Sequence, residues 1–113
     1  MSSETPEEGR EIEELRELLR SPLANPVRLA IALYLLPRRG AYFSSIAHAL
    51  GVTPGNSRHH LNVLIEHGIV EEKYVFSNRP RKLIVLTMKG AQELNKILKL
   101  LKSVLCKSGI HYK

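Results

Sequence analysis

The chain has 113 residues, of which 43% are hydrophobic and 5% aromatic, and its formal net charge at pH 7 is +6. This length suits one small domain with an aliphatic core, and no apolar run approaches the roughly 20 residues of a membrane helix. The acidic beginning argues against a signal peptide, and the single cysteine, Cys106, excludes an internal disulfide framework. Composition therefore predicts a cytoplasmic protein that does not enter the membrane.

Charge is distributed unevenly along the chain. Residues 1–20 hold seven Glu and three Arg, a balance of −4, whereas residues 21–113 hold 14 Lys and Arg against four Glu, a balance of +10. The body of the protein is therefore more basic than the total suggests. A strongly basic body favours an acidic partner, and nucleic acid is the first candidate.

The first predicted element is an amphipathic helix over residues 10–20, after an acidic tail, residues 1–9, that we expect to be disordered. Its apolar residues share one side: Ile12, Leu15, Leu18 and Leu19. This stripe must pack on its own domain or on a second copy of the chain. We assign Ile12 and Leu15 to a predicted dimer interface.

Two short helices joined by a tight turn are predicted next, over about Ser44–Leu50 and Pro54–His67. Thr53 can cap the second helix, and Pro54 occupies its first position, where a missing N–H costs nothing. Gly68 ends that helix as a left-handed C-cap. A helix, a turn and a second helix followed by a hairpin is the order of a winged helix-turn-helix, an α+β fold that is mostly α.

The second helix of this motif has an apolar side and a polar side. The apolar side is formed by Ser57, Leu61, Leu64 and Ile65. The polar side and its flank carry residues predicted to contact DNA: Gly55, Asn56, Arg58, His59 and Asn62. Arg and Asn make bidentate contacts to base edges, and Gly allows close approach. The alternative is an ordinary solvated helix face.

Ser44 and Ser45, near the start of the preceding helix, are predicted to donate hydrogen bonds to phosphate. After the second helix, strands over Ile69–Phe76 and Leu83–Thr87 are predicted to form a two-stranded wing, because both are rich in β-branched, aromatic and other apolar residues. The connecting segment carries three predicted DNA-binding cations: Arg79, Arg81 and Lys82. Crowded like charges repel, but they suit a phosphate clamp. The alternative is a charged edge that blocks aggregation.

The last predicted element is a long helix over residues 89–107, followed by a tail, residues 108–113. Its apolar stripe is assigned to the dimer interface: Leu94, Ile97, Leu98, Leu101, Val104 and Leu105. One small domain has little surface left to bury so long a stripe, so a partner helix is predicted, and symmetric dimers are the commonest oligomers. The alternative is a helix folded back on its own domain.

In this order and spacing, the motifs resemble the MarR/ArsR-type winged-helix transcriptional regulators, which are mostly bacterial and archaeal. The resemblance rests on five segments: Asn25–Leu33, Thr53–Asn56, His60-Leu61, Gly68–Val70 and Leu86–Gly90. It covers about residues 23–98 and implies a homodimer bound to double-stranded DNA through a domain over residues 21–88. The chain departs from the family pattern at Asn62 and Val63, where recognition helices often carry further Arg or Lys.

No group of residues in the sequence is arranged for catalysis or for metal binding. His59, His60 and His67 have no Cys or carboxylate at ligand spacing, and Cys106 with His111 supplies only two ligands. Asp is absent, and we find no nucleophile beside a base and no phosphate-cradling glycine loop. The sequence therefore predicts no enzyme, metal or cofactor, and it carries no residue signature of a small-molecule effector.

These observations predict a dimeric transcriptional regulator that reads the major groove with residues 54–67 and holds the backbone or minor groove with the wing. Two alternatives stay open. One is an architectural DNA-binding protein with little sequence preference, which nothing in the sequence excludes. The other is a winged helix used for protein–protein assembly, against which the basic wing argues.

Overall fold

The computed structural model describes residues 6–76 and 78–109. In chain order its elements are α1 (Pro6–Arg20), α2 (Pro26–Leu35), β1 (Ala41–Tyr42), α3 (Phe43–Leu50), α4 (Pro54–Glu66), β2 (Val70–Val75), β3 (Arg81–Leu86) and α5 (Met88–Lys107). Residues 1–5 of the predicted acidic tail and residues 110–113 of the predicted C-terminal tail lie outside the described residues. None of the described helices combines the length and apolarity needed to cross a membrane.

The first helix is longer than its sequence pattern indicated. α1 begins at Pro6, so the prediction of disorder was wrong for residues 6–9. Proline is well suited to the first position of a helix, because the N–H that it lacks has no partner there. The apolar periodicity begins only at Ile12, which is why the pattern did not reveal the first turns.

The wing belongs to a three-stranded antiparallel sheet with the order β1-β3-β2. β2 and β3 pair along their whole length, with Glu72 opposite Ile84, and β1 adds Ala41 on the other side of Ile84. The expected wing therefore has a third strand. β1 is only two residues long, too short for an alternating pattern to reveal it.

Side-chain caps define where three of the helices begin. Asn25 Oδ1 accepts from the Val27 N–H at 3.0 Å, and Thr53 Oγ1 accepts from the Asn56 N–H at 3.2 Å. Thr87 caps α5 in the same way. Because these acceptors satisfy N–H groups that have no partner within the helix, they fix the start of each helix.

The core is built from residues of every helix except α1 and from the sheet. Its largest fully buried side chains are Leu23, Ile31, Leu35, Ile46, Leu61, Leu64, Ile69, Ile84 and Leu94. α4 contributes Leu61 and Leu64, so its predicted apolar side is confirmed. The packing of that side leaves the opposite side of α4 facing outward.

α5 divides its apolar residues between the core and the surface. Leu94 is 0% exposed and Ile97 is 5% exposed, and both belong to the core cluster. The structure therefore places both residues, which were assigned to a dimer interface, in the core of their own domain, where Leu94 has no surface and Ile97 little surface left for a second chain. The remaining assigned residues of α5 are 37–50% exposed: Leu98, Leu101, Val104 and Leu105. The buried positions of α5 thus extend as far as Leu100, and the apolar residues beyond it are exposed.

The start of α5 packs so closely on the sheet that only glycine fits there. A Cβ on Gly90 would lie 2.2 Å from the Ile69 carbonyl oxygen, whereas a Cβ on Gly55 would meet nothing within 4 Å. We expect Gly90→Ala to lower the free energy of unfolding by about 1–3 kcal/mol. Gly55→Ala, the matched control, should leave it unchanged or raise it by up to about 1 kcal/mol. Urea unfolding measures both, and equal stability of the two variants would contradict this close contact.

Candidate nucleic-acid interface

The outward side of α4 carries most of the polar residues that the sequence assigned to DNA. Four of them are exposed: Gly55, Asn56, His59 and Asn62. Ser44 and Ser45 are exposed in the first turn of α3, and a shallow groove between α3 and α4 is lined by Ser44 and Pro54 among others. The open space around Gly55 leaves room for a close approach to the backbone. The turn between the helices therefore brings Ser44 close to the first residue of α4.

Arg58 is placed differently from its neighbours on α4. Its Nη1 donates to Glu72 Oε2 on β2 at 2.6 Å, and its guanidinium carbon lies 4.5 Å from the centroid of the Phe43 ring. The side chain is 31% exposed. Arg58 was expected at a base edge, but the structure shows its guanidinium held between α3 and the wing by a protein carboxylate.

Lys82, on β3, shares that carboxylate. Its Nζ lies 3.6 Å from Glu72 Oε1, so one half-buried Glu faces two cations. Burial raises the pKa of Glu72, but the hydrogen bonds and charges of Arg58 and Lys82 outweigh it and hold this pKa below its usual value of 4.5. Glu72 is therefore ionised at neutral pH. Sequence reasoning missed it, although strand alternation places Glu72 on the wing face that carries Lys82.

The basic residues of the wing do not lie on one face. Tyr74 pairs with Lys82 across the hairpin, and Arg81 is the next residue along β3, so its side chain points to the opposite face. There the Arg81 guanidinium lies 3.7 Å from the centroid of the Tyr42 ring. Arg79 is exposed in the connecting segment. The predicted phosphate clamp is therefore spread over both faces and the tip of the wing.

Two aromatic rings are exposed toward the tip of the wing. Tyr74 is 59% and Phe76 is 82% exposed, and their ring centroids lie 6.4 Å apart with the planes 24° from parallel. Lys82 Nζ lies 5.8 Å from the Tyr74 ring centroid. Sequence reasoning counted both aromatics only as strand formers. The available signal was their spacing of two residues, with Tyr74 in β2 and Phe76 just after it, which is the spacing of residues on one face of a strand.

His60 connects α4 to α2 and is turned away from the outer surface. It is 9% exposed, and its Nδ1 lies 3.1 Å from Arg28 Nη1. Because guanidinium only donates hydrogen bonds, Nδ1 is the acceptor and the ring is neutral. Burial, then the positive charges of Arg28 and His59, lower the pKa of His60 below its usual value of 6.5. His60 therefore links α4 to α2 through a partly buried hydrogen bond to Arg28.

A cavity of about 480 Å³ lies between α1 and α5, away from the polar side of α4. Glu14, Glu17, Lys96 and Lys99 are among its lining residues, so it carries charges of both signs. Among residues 6–76 and 78–109, no three His, Cys, Asp or Glu side chains converge as metal ligands. His111, a residue that could bind metal with Cys106 by its sequence position, lies outside these ranges.

Comparisons with known proteins agree with this architecture. Residues 23–73 match the family model of a helix-turn-helix domain. The structure of a transcriptional regulator homologue from Pyrococcus horikoshii is 42% identical, with 87% of this chain and 99% of that chain covered and a TM-score of 0.80. A MarR-like transcriptional regulator from Thermotoga maritima is 30% identical, with 74% and 62% covered and a TM-score of 0.58. No curated protein matches.

A more distant structure supports the fold alone. The YusO protein from Bacillus subtilis is 17% identical to this chain, with 91% of this chain and 74% of that chain covered and a TM-score of 0.74. The arrangement of helices and wing is therefore shared well beyond recognisable sequence similarity.

The buried His60 makes stability depend on pH in a defined direction. Because its pKa is lower in the folded than in the unfolded chain, the unfolded chain binds more protons below the usual value of 6.5. The stabilisation is complete above that pH and is lost as pH falls toward the folded-state pKa. Urea unfolding at pH 7.5 and 5.5 should show this loss in the unmodified protein and in the control His48→Gln, but less of it in His60→Gln. An equal loss in all three would contradict the assignment to His60.

Proposed function

The chain belongs to the MarR-like winged helix-turn-helix transcriptional regulators, and we propose that it acts as a dimer that reads double-stranded DNA with α4. The members of this family regulate transcription and are not enzymes, so the predicted class of function is confirmed. The ArsR part of the predicted resemblance stays a prediction. The observation that carries the proposal is the outward polar side of α4, held in place by Leu61 and Leu64 beneath it.

In this proposal, α4 enters the major groove and its neutral polar side chains read base edges. Asn56 and Asn62 offer the paired donor and acceptor that suit adenine, and His59 donates to a base or to phosphate. Gly55 lets the backbone at the start of α4 approach closely. Ser44 and Ser45 donate to a phosphate beside the groove. Phosphate contacts fix the register of the protein, and base contacts give the sequence preference.

We further propose that the wing lies along the DNA backbone or in the minor groove. Arg79 at the tip and Arg81 on one face are the cations we assign to phosphate. Arg58 and Lys82 already share Glu72, so the structure gives them a protein partner in addition to the DNA that the sequence analysis assigned to them. The charge available to DNA is therefore smaller than a count of Lys and Arg suggests.

Dimerisation is proposed through the exposed half of α5, with Ile12 and Leu15 of α1 alongside. Leu101 is 50% exposed and Leu98 is 38% exposed, and Leu15 of α1 is 41% exposed. α1 packs on α5 within one chain, so the exposed apolar residues of both helices can form a continuous surface. Burying a Leu completely contributes about 1.5–3 kcal/mol, which several such residues can turn into a stable association. Two symmetric reading heads would then meet a palindromic site.

Selection of bound duplexes from a random library tests the function as a whole. Enrichment of a palindrome is the result expected of a dimeric regulator. Binding without enrichment would favour an architectural DNA-binding protein, and no binding would favour a protein–protein assembly module. The enriched site also supplies a specific duplex for measuring the affinity of variants.

Asn62 provides the test of base reading. Asn62→Ala should weaken binding to the specific duplex by about 1–3 kcal/mol and relax the preference at one position in each half-site. Binding to a random duplex should change little, because an amide releases no counterion. Asn95→Ala, the same change on the exposed surface of α5, is the control and should bind like the unmodified protein. Fluorescence anisotropy measures both, and equal loss on the two duplexes would demote Asn62 to a backbone contact.

Leu101 provides the test of assembly. Leu101→Glu places a charge in the proposed interface and should give a folded monomer that has lost most affinity for the palindrome but keeps weak half-site binding. Tyr74→Glu is the control for assembly, because it adds the same charge to an exposed apolar residue far from α5 and should stay dimeric. Sedimentation equilibrium distinguishes them. An unmodified protein that is monomeric at tens of micromolar would refute the interface.

A further inference from the structure

An acidic side chain lies at the junction of the two elements that we assign to DNA. Glu72 points from β2 toward α4 and contacts cations on both, Arg58 of α4 and Lys82 of β3. A carboxylate repels phosphate, so its position beside a DNA-binding surface needs a reason. The contacts of Glu72 suggest that the reason is its effect on the two cations, Arg58 and Lys82.

The three groups form a closed cluster. The Arg58 guanidinium is bound by Glu72 at 2.6 Å on one side and lies over the Phe43 ring on another. The Glu72 side chain is 19% exposed, which weakens the screening of its charge by water. A charge-assisted hydrogen bond this short in a half-buried setting is not exchanged for phosphate without loss. Both cations thus face a carboxylate that competes with phosphate for them.

We propose that Glu72 sets the preference of this protein for its specific site over other DNA, by holding Arg58 and Lys82 so that they do not neutralise phosphates. The inference rests on the proposed binding of DNA by α4 and the wing. Glu72 is here a residue that determines specificity without touching a base.

The physical argument follows from how the two kinds of binding differ. Binding to random DNA depends almost entirely on phosphates neutralised by Lys and Arg, and each one steepens the dependence of affinity on salt. The residues proposed to read bases, Asn56, His59 and Asn62, include no Lys or Arg. Withholding two cations therefore weakens random binding while leaving base reading in place. The ratio of specific to random affinity rises.

The chain supplies a matched control for this inference in the adjacent residue. Glu71 precedes Glu72 on β2, so it points to the opposite face of the wing, and its Oε2 lies 3.9 Å from Lys73 Nζ. Glu72→Gln and Glu71→Gln remove the same charge one residue apart. Only the first also frees Lys82 from its carboxylate partner. Gln can still accept a hydrogen bond from Arg58, which preserves the shape of the cluster.

The experiment measures affinity for a random duplex and for the selected duplex across a range of salt concentrations. Relative to Glu71→Gln, Glu72→Gln should steepen the slope of log affinity against log salt on the random duplex by about 1 for each protomer bound. At about 0.1 M salt its random binding should strengthen roughly tenfold for each protomer bound, and its specificity ratio should fall. Equal slopes for the two variants would overturn the inference. Weaker DNA binding by Glu72→Gln would also overturn it, since Glu72 would then be positioning Arg58 for DNA.

A second variant keeps the test decisive if Glu72→Gln fails to fold. Lys82 is 43% exposed at its side chain, so Lys82→Gln leaves the core intact. With Glu72 in place, it should change the salt slope by less than about 0.5, whereas Arg79→Gln should reduce it by about 1 for each protomer. An equal reduction by both variants would place Lys82 on phosphate and overturn the inference. An unmodified protein that binds neither duplex would instead refute the proposed function, and the inference with it.

Discussion

The attachment of α4 to the core is the constraint on which the rest of the structure depends. Leu61 and Leu64 lie at 0% exposure among residues from α2, α3, the sheet and α5, and His60 adds a hydrogen bond to Arg28. Because the inner side of α4 is completely buried, α4 is held in one orientation. The polar residues on its outer side therefore keep fixed positions relative to one another. Thr53 and Pro54 fix where the helix begins, and hence which residues lie at its tip. A reading helix needs this rigidity, since base contacts depend on placement within a fraction of an ångström.

The wing is joined to α4 by charge as well as by the chain. Glu72 contacts Arg58 and Lys82, and the Phe43 ring lies beside Arg58, so α3, α4 and both strands of the hairpin meet at one half-buried cluster. A helix and a hairpin connected in this way keep a defined spacing before any DNA arrives. The same contacts reduce the positive charge that the surface presents. One carboxylate therefore affects both the spacing of α4 and the wing and the charge between them, which is why we propose that it affects the selectivity of DNA binding.

Patterns that depend on neighbouring residues were predicted well from the sequence. The caps of α4, the separation of its two sides and the hairpin follow from local periodicity and turn chemistry, and family membership agrees with the motif order. Contacts between distant segments could not be predicted in this way. The pairing of Arg58 with Glu72 joins residues fourteen positions apart, and the burial of Leu94 depends on how α5 crosses the core. The apolar stripe along α5 shows that this surface must be covered. Which part of the stripe is covered by the rest of the same domain depends on tertiary packing, which the sequence pattern does not show.

The surface that we propose to bind DNA is formed by the start of α3, the outer side of α4 and the wing. NMR can locate the contact, by titrating the isotopically labelled protein with a duplex and following its backbone amide resonances. We expect the largest shifts at Ser44, Ser45 and residues 54–62, with further shifts in the wing at 79–82. The exposed half of α5 should shift little. Shifts centred on α1 and α5, with α4 unchanged, would refute DNA binding through α4 and the wing.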